Sequence, residues 1–213
     1  MGRFQPGLSA AMTRGDITRE LTPIPTATKS QNQMTPVLSD KTVGVMGSGH
    51  DTHDALASEV GQLLAELEVN LLTGGGRGVM EAVSRAFIEA RRGRGICIGI
   101  IPCSETDPCR PKEGYPNRFV ELPIYTHLPH SGEQGQDHLS RNHINVLSCD
   151  AIVALPGAAG TASELALATR YGKPAMVYSP DHSLVTRFPP ALRRAATLDQ
   201  VRRFLVEHLR RGV

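Results

Sequence analysis

"DAIVALPGAAGTASE", residues 150–164, decides how this chain folds. Its first half is an apolar run with β-branched residues, and Pro156-Gly157 then leads into small residues and an acid. That order predicts a strand, a glycine turn and a helix. The same order recurs upstream. "TVGVMGS" (42–48) predicts a buried strand leading into "DALASEVGQLLAELE" (54–68), where Leu56, Val60, Leu63, Leu64 and Leu67 share one helical face. "VNLLTGGG" (69–76) predicts a second strand, "VMEAVSRAFIEARR" (79–92) a second helix and "GICIGII" (95–101) a third strand.

Downstream, "PCSETDPCRPKEGYPNR" (102–118) is a proline-studded connection, long enough to suggest function. "FVELPIYT" (119–126) predicts a fourth strand. "QDHLSRNHINVLS" (136–148) predicts a helix with Leu139, His143, Val146 and Leu147 inward. Residues 150–157 form the fifth strand, "TASELALATRYG" (161–172) the next helix and "PAMVYS" (174–179) a sixth strand. "TLDQVRRFLVEHLRR" (197–211) closes the chain as an amphipathic helix opened by a Thr197–Gln200 capping box.

Alternating strands and helices predict an α/β, Rossmann-like, doubly wound fold: a mostly parallel sheet with helices on both faces. Right-handed crossovers bring the strand-to-helix turns to one sheet edge, where such folds bind ligands. Residues 1–38, rich in Thr, Pro, Gln and Ser and without periodicity, are expected to be a poorly ordered leader. Met12 and Met34 are alternative starts, and residues 39–213 are expected to form a single domain.

Composition narrows the function. A net charge of +2 is too small to imply a polyanion partner, and 4% aromatics without Trp offers few stacking platforms for single strands. Nucleic acid is therefore not the expected partner. No apolar stretch reaches the length of a membrane span, and the N-terminus lacks the apolar segment of a signal peptide. Four cysteines without a CxxC pair, two of them (Cys97 and Cys149) in or beside apolar runs, read as buried thiols of a cytoplasmic protein.

Three strand-to-helix junctions are glycine-rich: Gly47-Ser48-Gly49, then Gly74-Gly75-Gly76 within "TGGGRG", then Gly157-Ala158-Ala159-Gly160-Thr161. Glycine permits close backbone approach, and a helix N-terminus offers free N–H groups and a positive dipole end. Together they suit a phosphorylated small molecule; tight turns alone are the plainer alternative. Glu164 has two readings. Thr161-Ala-Ser-Glu164 has capping-box spacing, in which the acid only binds backbone. Its position beside loops able to hold phosphate makes it a candidate catalytic carboxylate instead.

"LPGAAGTASE" resembles the PGGxGTxxE signature of the Lonely Guy family, formerly labelled lysine decarboxylase-like. "TGGGRGVMEA" is similar to that family's GGxxGLM loop, and "SRNHINVLSCDAIVALPG" to its arginine-bearing helix and signature strand. The likeness spans roughly residues 42–178, and molybdenum-cofactor carrier proteins are a sibling group. It implies a nucleotide-binding homodimer or higher homo-oligomer that cleaves the N-glycosidic bond of a nucleoside 5′-monophosphate, releasing base and ribose 5-phosphate. By position it implies Glu164 and Arg141 as catalytic, with Gly157, Gly160, Thr161 and Thr169 at the ligand. The family lysine is Asn142 here, and the second signature glycine is Ala158.

Neither metal nor cofactor is expected. His127, His130, His138 and His143 lack zinc-site spacing and read as solvated or packing residues. Glu133 is a candidate for the ligand's sugar or base. Arg77 faces phosphate or solvent, and Glu81 is a first-turn acid suited to the helix dipole. The Arg pairs at 193–194, 202–203 and 210–211 suggest a basic helix face. Two other functions compete with hydrolysis: a carrier of molybdenum cofactor or a nucleotide, and a DNA-binding relative of the DprA type. The latter relies on an Arg after the first glycine turn, where this chain has His50.

Overall fold

The computed structural model describes residues 40–210, so the expected leader at 1–38 lies outside the described residues. Seven strands form one sheet in the order β4-β3-β2-β1-β5-β6-β7, with every neighbouring pair parallel. The strands are β1 (Thr42–Met46), β2 (Asn70–Thr73), β3 (Cys97–Ile101), β4 (Leu122–Tyr125), β5 (Ala151–Ala154), β6 (Ala175–Tyr178) and β7 (Arg193–Ala195). The helices are α1 (Asp54–Glu66), α2 (Val79–Ala90), α3 (Asn142–Leu147), α4 (Ala159–Arg170) and α5 (Leu198–Leu209). The α/β, doubly wound expectation holds, and the sheet is wholly parallel among the described residues.

Period-2 alternation divides the core. Val43, Val45, Leu71 and Val153 pack with Val60, Leu63 and Leu64 of α1, Val83 and Phe87 of α2, and Phe204 and Leu205 of α5. Met46, Leu72, Ile152 and Ala154 turn the other way, onto Val146 of α3 and Leu165 and Ala168 of α4. Both faces are therefore buried, which accounts for the continuous apolar reading of the central strands. Among the described residues no helix is long and apolar enough to cross a membrane. Burial pushes the Cys97 thiol up to about 11 and Cys149 to about 12, so both stay protonated and inert.

Four elements differ from expectation. β7 is an additional strand: it pairs with β6 through Met176↔Arg193 and Tyr178↔Ala195. A three-residue, arginine-bearing edge strand carries little apolar signal. Arg193 and Arg194 consequently do not belong to a helix face. Arg194 donates to the carbonyls of Val185 and Phe188, and Arg193 pairs with Glu207.

The helix expected over 136–148 begins only at Asn142. The Asp137 side chain accepts from the Leu139 amide at 3.2 Å and its carbonyl from the Ser140 amide at 2.9 Å, a local turn that competes with helix. Leu147, expected inward, is 50% exposed; Asn145 and Val146 are the buried residues of that turn. β4 is shorter than 119–126 and, as the other sheet edge, exposes Leu122, Ile124 and Tyr125.

The fourth difference bears on the site. α4 starts at Ala159, with Ala158 at the N-cap and no side-chain cap. Thr161 thus lies inside the first turn, and the Thr161–Glu164 capping box does not form. The Thr197–Gln200 box does, on α5.

Candidate functional site

The chain order reverses between β1 and β5, which lie side by side although β2 follows β1 in sequence. Loops leaving two such strands diverge to opposite faces, and the gap between them is where open α/β sheets take ligands. Here the gap is a cavity of ≈ 320 Å³, roofed by the 131–133 turn and Tyr115.

Backbone bonds knit the three glycine junctions together. The Ser48 amide donates to the Pro156 carbonyl (3.1 Å), and the Val79 amide donates to the Ser48 carbonyl (2.9 Å). Gly78, at φ +64°, sits so close to this loop that a Cβ would lie 2.7 Å from the Gly49 carbonyl carbon. Only glycine meets both demands. The Ser48 hydroxyl accepts from the amides of His50 and Asp51, so Ser48 shapes the loop and stands outside the cavity lining.

Arg141 and Glu164 line the cavity together. Arg141 precedes α3 and is 4% exposed; its Nε and Nη1 are buried without a hydrogen-bond partner. Its guanidinium carbon lies 5.8 Å from the Tyr115 ring centroid, and its terminal nitrogens rest over Gly74. Asn145, one turn along α3, donates through Nδ2 to Glu164 Oε1 at 2.9 Å. Burial raises the Glu164 carboxyl above its ordinary value; the positive charge of Arg141 and the Asn145 bond oppose that rise. A buried cation with orphaned donors, beside a helix start that no side chain caps, is arranged for an anion.

Of the residues singled out from sequence, Gly47, Gly74, Glu133, Arg141, Asn142, Ala158, Ala159, Gly160, Thr161 and Glu164 line this cavity. Five do not. Gly157 lies beneath Thr161, whose side chain fills the space a Cβ would need. Gly75 and Gly76 accept from Asn117 through their carbonyls, at 2.7 and 2.8 Å. Ser48 is the fourth. Thr169 is exposed and turns its hydroxyl back to the Leu165 carbonyl.

Gly49 and His50, at the first glycine junction, also line it, and Val45, Met46, Met80, Tyr115, Ser131 and Gly132, none of them expected at the site, complete the wall. The long 102–118 connection was the signal for Tyr115. The 131–133 turn is held down by Ser163 of α4, which donates to the Gly132 carbonyl.

A Cβ at Gly74 would lie 2.5 Å from Nη1 and Nη2 of Arg141, the free end of a flexible side chain. Gly74→Ala is therefore expected to displace the guanidinium and weaken anion binding about tenfold, with little change in melting temperature. Titration calorimetry with adenosine 5′-monophosphate (AMP), alongside a thermal melt, checks this.

Comparison with known proteins places relatives beside this geometry. A model described as the SLOG cluster4 family matches residues 40–203. An uncharacterized protein of Archaeoglobus fulgidus is 34% identical over 133 residues, covering 62% of this chain and 75% of its own. The solved molybdenum cofactor binding protein of Rippkaea orientalis is 30% identical, with a TM-score of 0.59, over 78% of this chain and 96% of that one. The molybdenum cofactor carrier protein of Chlamydomonas reinhardtii is 25% identical, with a TM-score of 0.56, over 81% and 99%.

Proposed function

The chain belongs to the SLOG cluster4 family, with molybdenum-cofactor carriers among its structural neighbours, and from that premise we propose that it binds and carries a phosphorylated heterocycle. The pterin phosphate of the molybdenum cofactor is the first candidate cargo, and a nucleoside 5′-monophosphate the second. One observation carries this reading: the buried, partly unpaired guanidinium of Arg141 in the wall of the cavity. Its free donors and the first turn of α4 suit the phosphate end of such a molecule. Tyr115 and Met80 supply surface for a flat ring.

Mass spectrometry of the small molecules released on denaturing the purified full chain tests the proposal. A pterin phosphate or a nucleotide in near-stoichiometric amount is expected. Finding neither, together with no heat of binding for AMP, overturns it.

Glu164 supports a second reading, hydrolysis of a nucleoside monophosphate at its N-glycosidic bond. The carboxylate shares the cavity with Arg141, held by Asn145 and free of a capping role. In such a reaction it would stabilise the oxocarbenium-like ribose and orient water. Release of free adenine from AMP, abolished in Glu164→Gln while AMP binding survives, is the outcome this reading requires. Persistent absence of free base over a panel of monophosphates leaves the carrier reading alone.

Glu164→Gln also reports on the buried carboxyl in the ligand-free protein. Its folded pKa lies above the ordinary value of 4.5, so the ionised form is disfavoured by folding. The resulting penalty is fully present above the folded pKa and fades as pH falls toward 4.5. Glu164→Gln removes the penalty. The variant is expected to melt higher than the native chain at alkaline pH, with the gap closing under acid conditions. A gap that widens on acidification would contradict the direction of the shift.

A further inference from the structure

A second cavity of ≈ 300 Å³ adjoins the first, with Tyr115 in the walls of both. Arg77, Glu81, Gly114, Pro116, Asn117 and Arg118 complete it. Its construction is specific. The Asn117 amide donates to the Gly75 carbonyl at 2.7 Å, and Asn117 Nδ2 donates to the Gly76 carbonyl at 2.8 Å. Asn117 is itself 7% exposed, so these bonds latch the 114–118 turn to the second glycine loop away from water. Arg77 follows Gly76 and Arg118 follows Asn117, so the latch brings both arginines to one hollow. The Arg77 guanidinium lies over Gly114, where a Cβ would sit 3.5 Å from its Nε. Arg118 covers the Phe119 ring at 4.8 Å.

Neither arginine forms an ion pair among the described residues, whereas Arg85, Arg91, Arg193 and Arg202 all do. With Glu81 on the same wall the hollow carries a formal charge of +1. Two planar forks without carboxylate partners among the described residues, lining one hollow, fit one phosphate group. Tyr115 lines both cavities and lies 5.8 Å from the Arg141 guanidinium carbon, so one ring borders the arginines of both.

We propose that the Arg77–Arg118 hollow is a second anionic subsite, taking a further phosphate of the ligand whose first phosphate lies at Arg141 and the start of α4. The preferred ligand then goes beyond the one-phosphate cargoes named above to a heterocycle bearing a phosphate chain or two phosphate groups, with Tyr115 in the wall of both subsites. This rests on the reading of the first cavity as a phosphate site.

Titrations of AMP and magnesium-free adenosine 5′-triphosphate (ATP) against the full native chain, Arg77→Gln/Arg118→Gln and Arg141→Met separate the two claims. The native chain is expected to bind ATP at least about tenfold more tightly than AMP. Arg77→Gln/Arg118→Gln is expected to lose that gain and keep its AMP affinity. An ATP gain that is absent, or that survives in the double variant, overturns the second subsite alone, provided AMP binds and Arg141→Met abolishes its binding. No binding of either nucleotide to the native chain overturns both claims. Because Arg77 and Arg118 are exposed and make no ion pair, the double variant is expected to melt with the native chain.

Discussion

Arg141→Met is expected to weaken AMP binding at least about a hundredfold and, at acid pH where Glu164 holds its proton, to leave the ligand-free protein no less stable than the native chain. The first half follows from the orphaned donors. Hydrogen bonds to a charged group contribute about 1.5–3 kcal/mol each. Losing the two that Nε and Nη1 would make to phosphate therefore costs about 3 kcal/mol or more. At 1.4 kcal/mol per decade, that is roughly a hundredfold or more in affinity.

The second half separates a binding residue from a structural one. An arginine only 4% exposed, with two unpaired donors, is costly to the empty protein. Methionine fills the same volume without that cost. Truncating a structural arginine would lower the melting temperature at every pH; replacing this one is expected to hold or raise it at acid pH and to lower it at alkaline pH, where Glu164 would ionise without a positive neighbour. Arg141→Lys keeps the charge without the planar fork and is expected to fall between the two. Native-like AMP affinity in Arg141→Met would remove the basis for the proposed function.

The sheet was legible because buried parallel strands and amphipathic helices both write strong patterns. Val45 and Met46, Leu71 and Leu72, and Ile152 and Val153 are apolar on both faces of their strands because helices cover both. β7 was illegible for the opposite reason: an edge strand needs only one apolar contact, Ala195, and two of its three residues are arginines.

The site divided along the same physical line. Glycine loops announce close backbone approach, so Gly47, Gly74 and Gly160 were readable, as was Arg141 through its family resemblance. Tyr115, Ser131 and Gly132 were not, although Glu133 of the same turn was singled out, since turns and long connections carry no period that places them in space. The capping-box reading of Glu164 failed by three residues: the cap is Ala158, not Thr161. A helix entering from a Pro-Gly turn can begin on alanines, and Thr161 and Glu164 then move inside it. Their spacing is unchanged; their role is not. Asn145 shows the reverse case. Its i+4 relation to Arg141 would have put both on one face of α3, and its bond to Glu164 confirms that face.

Gly61→Leu is expected to be strongly damaging although it lies outside the site, lowering stability by about 3 kcal/mol. Gly61 lies in the middle of α1, where glycine disfavours helix by about 1 kcal/mol relative to alanine, so leucine improves the isolated helix. Packing reverses that gain. A Cβ at Gly61 would lie 2.8 Å from the Ala86 Cβ, 2.8 Å from the Val83 carbonyl oxygen and 2.9 Å from the Phe87 amide nitrogen. Two of these are backbone atoms of α2, which no rotamer change can move, so the helices must part. Parting them loosens a layer that buries Val60, Leu64, Val83 and Phe87.

α1 and α2 also follow the first and second glycine junctions, and Met80 in the first turn of α2 lines the cavity. The same substitution should therefore reach the ligand. A melting temperature lower by roughly 6–12 °C follows from that loss for a domain of this size. AMP affinity measured well below the transition is expected to fall as well. Gly61→Ala, with the same contacts but no longer side chain, is expected to lie between native and leucine. A leucine variant as stable as the native chain would show that the two helices do not need the glycine to meet.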